Sequence, residues 1–196
     1  MKYIFPALLL AAALLPACDR TVEPPSAEER ETILKDAPEI FTTHGDNATF
    51  QGVESIYLGQ PKDEALAALA EFCPKTMEYR GGRLSEEAWF RGCVFRKPEG
   101  PIVSVRVGFW PRLDDQVSTL EVKRTDIGLD ATRERFREFA DELTLDVPRP
   151  GMIEMRAQKY QMLADIDEGA EGPTHITFGY SRDWADELEK DPANDS

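Results

Sequence analysis

The sequence predicts an α+β fold, an antiparallel sheet packed against two main helices. Three observations predict it. Val103, Val105, Val107 and Phe109 alternate with Ser104, Arg106 and Gly108, the two-residue period of a strand with one buried face. Between Pro61 and Pro74, Leu66, Leu69 and Cys73 recur at helical spacing. Short turn-rich connections such as Lys97-Pro98-Glu99-Gly100 join neighbouring strands, and short connections require antiparallel pairing.

The elements follow in chain order. Residues 19–30 read as a linker, because Glu23-Pro24-Pro25-Ser26 favours an extended, solvated chain. Ser26 is placed to cap a short helix over 27–36, with Glu28 and Glu29 in its first turn. Residues 42–47 are polar and turn-like. The folded domain is expected over 48–190, followed by an acidic tail over 191–196. Val53, Ile56 and Leu58 predict a strand of imperfect period over 53–58, ended by Gly59-Gln60-Pro61. Pro61 suits the first position of the next helix, and Asp63 and Glu64 suit the positive end of its dipole.

Met77 and Tyr79 alternate with Glu78 and Arg80 as a short strand, and Gly81-Gly82 turns the chain. The next strand covers 89–96, with Trp89, Cys93 and Phe95 on one face. Residues 103–109 and 118–122 complete a three-strand meander. The second main helix is expected over 130–143, with Phe136, Phe139, Ala140 and Leu143 along one side. Residues 152–157 are ambiguous. Tyr160, Met162, Ala164 and Ile166 alternate, as do Ile176, Phe178 and Tyr180, so these segments read as a closing hairpin. Residues 183–190 fit a short acidic helix. No internal repeat of fixed period is visible.

The N-terminus carries a different kind of signal. Lys2 precedes an apolar stretch over 4–15, shorter than the roughly 20 residues a membrane-spanning helix needs. Leu15-Pro16-Ala17-Cys18 ends it and resembles the lipobox of bacterial lipoproteins. The resemblance covers residues 1–18. It implies a signal peptide over 1–17, cleavage before Cys18, and lipidation of Cys18. The chemistry needs cysteine, because a thiolate is the nucleophile that accepts the lipid. Several acyl chains on one residue anchor stably, at roughly 0.8 kcal/mol per buried CH₂. The resemblance thus implies a chain held in the bacterial cell envelope and facing the periplasm. Asp19 directly after the cysteine favours, in that family, the inner membrane, and leaves the outer membrane open.

Export bears on the two remaining cysteines. An oxidising compartment makes a Cys73–Cys93 disulfide the default. The helix places Cys73 at the end of its buried stripe, and the strand turns Cys93 toward the same layer. A closed loop of about 20 residues stabilises by roughly 3 kcal/mol on the chain-entropy model. The formal net charge of −14 argues against nucleic acid as a partner and fits either solubility or a basic partner.

Candidates for chemistry are few. His44 and His175 are the only histidines, and both read as surface residues. No nucleophile elbow, zinc-protease or phosphate-loop motif is present in the sequence. Asp114-Asp115 is an exposed acidic pair. Asp165, Asp167 and Glu168 before Gly169 resemble part of a calcium loop but lack its terminal glutamate, so no metal and no cofactor is expected. Trp110 ends the clearest strand on the face opposite Phe109. With Arg106 and Arg112 it forms a candidate interaction patch, since Trp and Arg are favoured at interface hot spots.

The order of parts, with Leu58-Gly59 leading into a helix through Leu69 and then a meander, resembles small outer-membrane assembly lipoproteins of the BamE/SmpA type. The likeness is one of architecture. Here a strand is expected before the helix, and more elements follow the meander. The sequence therefore points to a non-catalytic, membrane-anchored lipoprotein that binds another envelope protein. The alternatives are a periplasmic small-ligand or cell-wall-binding module, or an inhibitor of a basic enzyme such as lysozyme.

Overall fold

The structure is a computed structural model that describes residues 24–73, 75–80, 89–95, 99–110, 115–140, 142–145, 152–157, 160–166 and 174–180. Three helices and ten strands are described, and the strands are antiparallel throughout. No described helix is long and apolar enough to cross a membrane.

Helix α1 (Ala27–Leu34) begins as expected at Ser26. The Ser26 hydroxyl accepts from the Glu29 amide, and the Glu29 carboxylate accepts from the Ser26 amide, a reciprocal capping box. These bonds hold the exposed Glu29 carboxyl below its ordinary value. Strands β1 (Phe41–His44) and β2 (Asn47–Phe50) form a hairpin where the sequence reads as a polar turn. Its two-residue loop places Gly45 at φ 61°, a left-handed conformation that glycine adopts without a Cβ clash.

The strand expected over 53–58 is absent. That segment is a run of turns in which Val53, Ile56 and Leu58 are each fully buried. Gly52 at φ 92° and Gly59 at φ 83° turn the backbone at either end. The imperfect period therefore reports three side chains entering the core from successive turns. Side chains satisfy the turn carbonyls: Thr49 donates to Ile56, and the Gln60 amide donates to Ser55.

Helix α2 (Lys62–Phe72) matches the sequence closely, with Ala65 and Leu69 buried. It leads to Cys73, which is bonded to Cys93 with the Cα atoms 5.9 Å apart. That spacing lies within the range of ordinary disulfides. Strands β3 (Met77–Arg80), β4 (Trp89–Val94), β5 (Ile102–Trp110) and β6 (Gln116–Arg124) follow as a meander.

Helix α3 (Leu129–Phe139) is shorter than the expected 130–143. Ala140 turns extended at φ −101° and ψ 147°, and Glu142–Leu145 becomes strand β7. Leu143 still packs against the core, but from a strand, opposite Met155. The alternation Glu-Leu-Thr-Leu carries the two-residue period that the longer helical stripe masks. Strands β8 (Met152–Ala157), β9 (Tyr160–Ile166) and β10 (Thr174–Tyr180) complete a second meander. The ambiguous segment is thus a strand, and the expected closing hairpin is β9–β10.

The sheet order is β3-β4-β5-β6-β10-β9-β8-β7. Each half is one helix followed by four meandering strands, and the last strands of the halves pair with each other. The chain is therefore two units of one topology joined last strand to last strand, although their sequences share no visible period. The central β5 and β6 have nine residues each, and the outermost β3 and β7 have four. One face of the sheet carries Val105, Val107, Phe109, Leu120, Val122, Met162 and Ile176, all fully buried in one core with the helices, the 51–61 turns and the hairpin. Phe41 joins hairpin to helix, with its ring 5.0 Å from both Phe136 and Phe139.

The segment ahead of the hairpin is tied to α3 and β6 by polar contacts. Arg30 of α1 pairs with Glu134 of α3 at 2.7 Å. Arg135 donates to the carbonyls of Ala37 and Pro38, and buried Arg124 donates to that of Glu39. Arg124 also holds Asp126 through two nitrogens, at 2.9 and 2.7 Å. Burial alone raises the Asp126 carboxyl, but this guanidinium outweighs it and sets the group below its ordinary value.

Two predictions follow from these contacts. Replacing both Cys73 and Cys93 by serine should lower unfolding stability in urea by roughly 3 kcal/mol, with reductant reproducing the loss in the unmodified chain. A carboxyl with a depressed folded-state pKa stabilises above its unfolded value of about 3.9 and loses that contribution as pH falls through the folded value. Asp126→Asn should therefore flatten the acid side of the stability–pH curve below about pH 4 and leave its slope above pH 6 unchanged.

Candidate functional site

The polar side chains that strand alternation gathers lie on the sheet face opposite the core. The register sets them in rows. Ser104, Lys123, His175 and Asp165 lie across β5, β6, β10 and β9 in one row, and Arg106 and Glu121 lie across β5 and β6 in the next. Directly opposed residues share a face, so each row brings together side chains far apart in sequence.

Glu121 is the centre of this face. Its side chain is only 11% exposed, and its Oε2 is shared between the Arg106 guanidinium and His175 Nε2, the latter 3.4 Å away. Arg106 also lies over the Phe90 ring, its guanidinium carbon 5.3 Å from the centroid. Burial lowers the Arg106 pKa from its ordinary value. Glycine makes the room: a Cβ on Gly108 would come within 2.4 Å of the Phe90 ring, and one on Gly92 within 2.6 Å of the Val105 carbonyl oxygen. Chemically the cluster is a nearly buried carboxylate with a guanidinium and an imidazole both within ion-pair distance of one oxygen. It crosslinks β5, β6 and β10, and so spans the seam between the two halves.

Of the interaction patch, Arg106 is present on this face, with its guanidinium engaged by Glu121. Trp110 ends β5 opposite Gln116, and its side chain lies outside the described residues, as does Arg112. Cys18, Asp114, Asp167, Glu168 and the helix expected over 183–190 also fall outside them. Asp115 takes φ 57° and pairs with Lys62 at 3.0 Å. His44 stacks on Tyr57, with ring centroids 4.4 Å apart and planes 3° from parallel. Among the described residues no group of three or more His, Cys, Asp or Glu side chains could hold a metal ion.

His175, read from the sequence as a surface residue, lies partly exposed on this face beside Glu121. Sequence reasoning missed Glu121 as a centre. The period marks Glu121 as outward-facing, but its partners come from strands 15 and 54 positions away in the chain.

Comparison with protein-family models, with curated proteins and with solved structures found no match to this chain.

Filling the Gly108 position tests the packing of this face. Gly108→Ala should destabilise the fold by about 1–3 kcal/mol through overpacking against Phe90, measured by denaturant unfolding. The variant Gly108→Ala/Phe90→Leu should recover part of that loss.

Proposed function

We propose that the protein is a membrane-anchored envelope lipoprotein, tethered through lipid on Cys18, whose domain binds another envelope protein without catalysing a reaction. The observation that carries the anchoring is Leu15-Pro16-Ala17-Cys18 after Lys2 and a short apolar stretch. The binding role is supported by how the reactive side chains are used. His44 is stacked on Tyr57, and His175 and Arg106 share the Glu121 carboxylate. These groups tie the fold together. The contact patch on this reading is Trp110 and Arg112 together with Arg106, whose guanidinium lies against Glu121.

A net charge of −14 favours one second reading, inhibition of a basic enzyme. Salt separates the two. A charge-driven complex weakens steeply as ionic strength shortens the screening length to about 3 Å at 1 M, whereas an aromatic-centred one persists.

Fractionation tests the anchor. Cys18→Ser should move the protein from the membrane to the soluble fraction and abolish incorporation of radiolabelled fatty acid; a variant that stays in the membrane fraction refutes the lipid tether. Capture from a detergent extract tests the binding role. One envelope protein should be enriched with the unmodified chain and lost with Trp110→Ala/Arg112→Ala. Turnover in a hydrolase screen with no specific capture would reverse the conclusion.

A further inference from the structure

The position of α1 bears on how the domain stands against a bilayer. On α3, Thr132 and Phe136 are fully buried, and Phe136 belongs to the core. Glu134 lies between them in sequence, about 200° around the helix from each, on the side facing away from the core. It is nevertheless 2% exposed. Arg30 of α1 reaches it at 2.7 Å, and Arg137 pairs with its other oxygen. So α1 covers the back of α3, and the layers run from α1 to α3 to the sheet.

The chain joining Cys18 to this outer helix is short. The eight residues from Cys18 to Pro25 precede the Ser26 cap. Even at full stretch, about 3.6 Å per residue, eight residues reach no further than roughly 29 Å. Two helical layers of about 10 Å each plus the sheet are thicker than that. A tether of this length cannot pass around the domain and bring the opposite face to the membrane.

Resting on the reading of Cys18 as lipidated, we propose that α1 is a membrane-proximal strut. It holds the helical side of the domain toward the bilayer and turns the Arg106–Glu121–His175 face of the sheet away from it. The orientation is steric. Glu28, Glu29 and Glu31 give α1 an acidic, exposed surface that does not adhere to anionic headgroups. The Arg30–Glu134 pair keeps the tether short, because release of α1 adds its length to the linker.

Coupling chemistry separates this geometry from the lipidation reading. Removing residues 1–17 takes away none of the described residues. The chain from Cys18 onward, with its disulfide intact, is joined through the Cys18 thiol to a maleimide lipid in phosphatidylcholine vesicles. A donor dye is placed by unnatural-amino-acid labelling at position 31 on α1 or at position 94, where Val94 is 63% exposed on the outward sheet face. Energy transfer to acceptor-labelled headgroups should be stronger from position 31 than from position 94. Forty Gly/Ser residues inserted between Pro25 and Ser26, with a root-mean-square span of about 35 Å, should bring the ratio toward one. Arg30→Ala/Glu134→Ala should reduce it as well, provided circular dichroism shows the domain folded. Equal or reversed transfer in the unmodified tether, or a ratio indifferent to the insertion, overturns the strut. Fatty-acid labelling of Cys18 in cells reports on the lipid anchor separately.

Discussion

The antiparallel pairing of β6 with β10 is the constraint on which the rest of the structure depends. Six described residue pairs, from Thr174–Arg124 to Gly179–Thr119, join two meanders that would otherwise be separate four-stranded sheets. The pairing fixes more than adjacency. Because side chains alternate, this register sets Ile176 beside Val122 on the core face and His175 beside Lys123 on the other. A slip by one residue would exchange the two faces over half the molecule. The buried core and the Glu121 cluster are therefore two results of one register.

The same seam explains what was legible in the sequence. Local patterns were readable: the stripe of α2 between its prolines, the alternation of β5, the cap at Ser26, and the pairing of Cys73 with Cys93. Each depends on residues close in sequence, or on a helix end meeting a strand of known facing. Three features were not readable for identifiable reasons. The 51–61 turns bury Val53, Ile56 and Leu58 at intervals that imitate a poor strand. The end of α3 was obscured because Leu143 continues the helical stripe while entering the core from a strand. The two-unit topology left no sequence period, since it is a pattern of connections.

The candidate site was legible only in part. Facing could be read, so Arg106 and His175 were placed on the polar side of their strands. What they meet there depends on strand order, and strand order across a helix-linked jump from β6 to β7 is a long-range outcome. The attachment of α1 was not legible for a related reason. Residues 19–30 read as a solvated linker and 27–36 as a short helix, and α1 buries none of its own residues. Its attachment comes from its own Arg30, which reaches Glu134 on α3, and from Arg135 and Arg124, which use the carbonyls after it, a kind of contact that no hydrophobic pattern announces.

The taper of the sheet has a consequence for life at high density. On the proposed Cys18 anchor, copies held in one plane would meet one another far more often than the same number free in solution. An open sheet offers two rows of unpaired backbone groups to such neighbours. Here the nine-residue strands sit in the middle, and each described edge is four residues long, with Glu78 and Arg80 on one and Glu142 on the other. Short, charged edges give another copy little to pair with. The chain can therefore be crowded on a surface with little tendency to zip into ribbons.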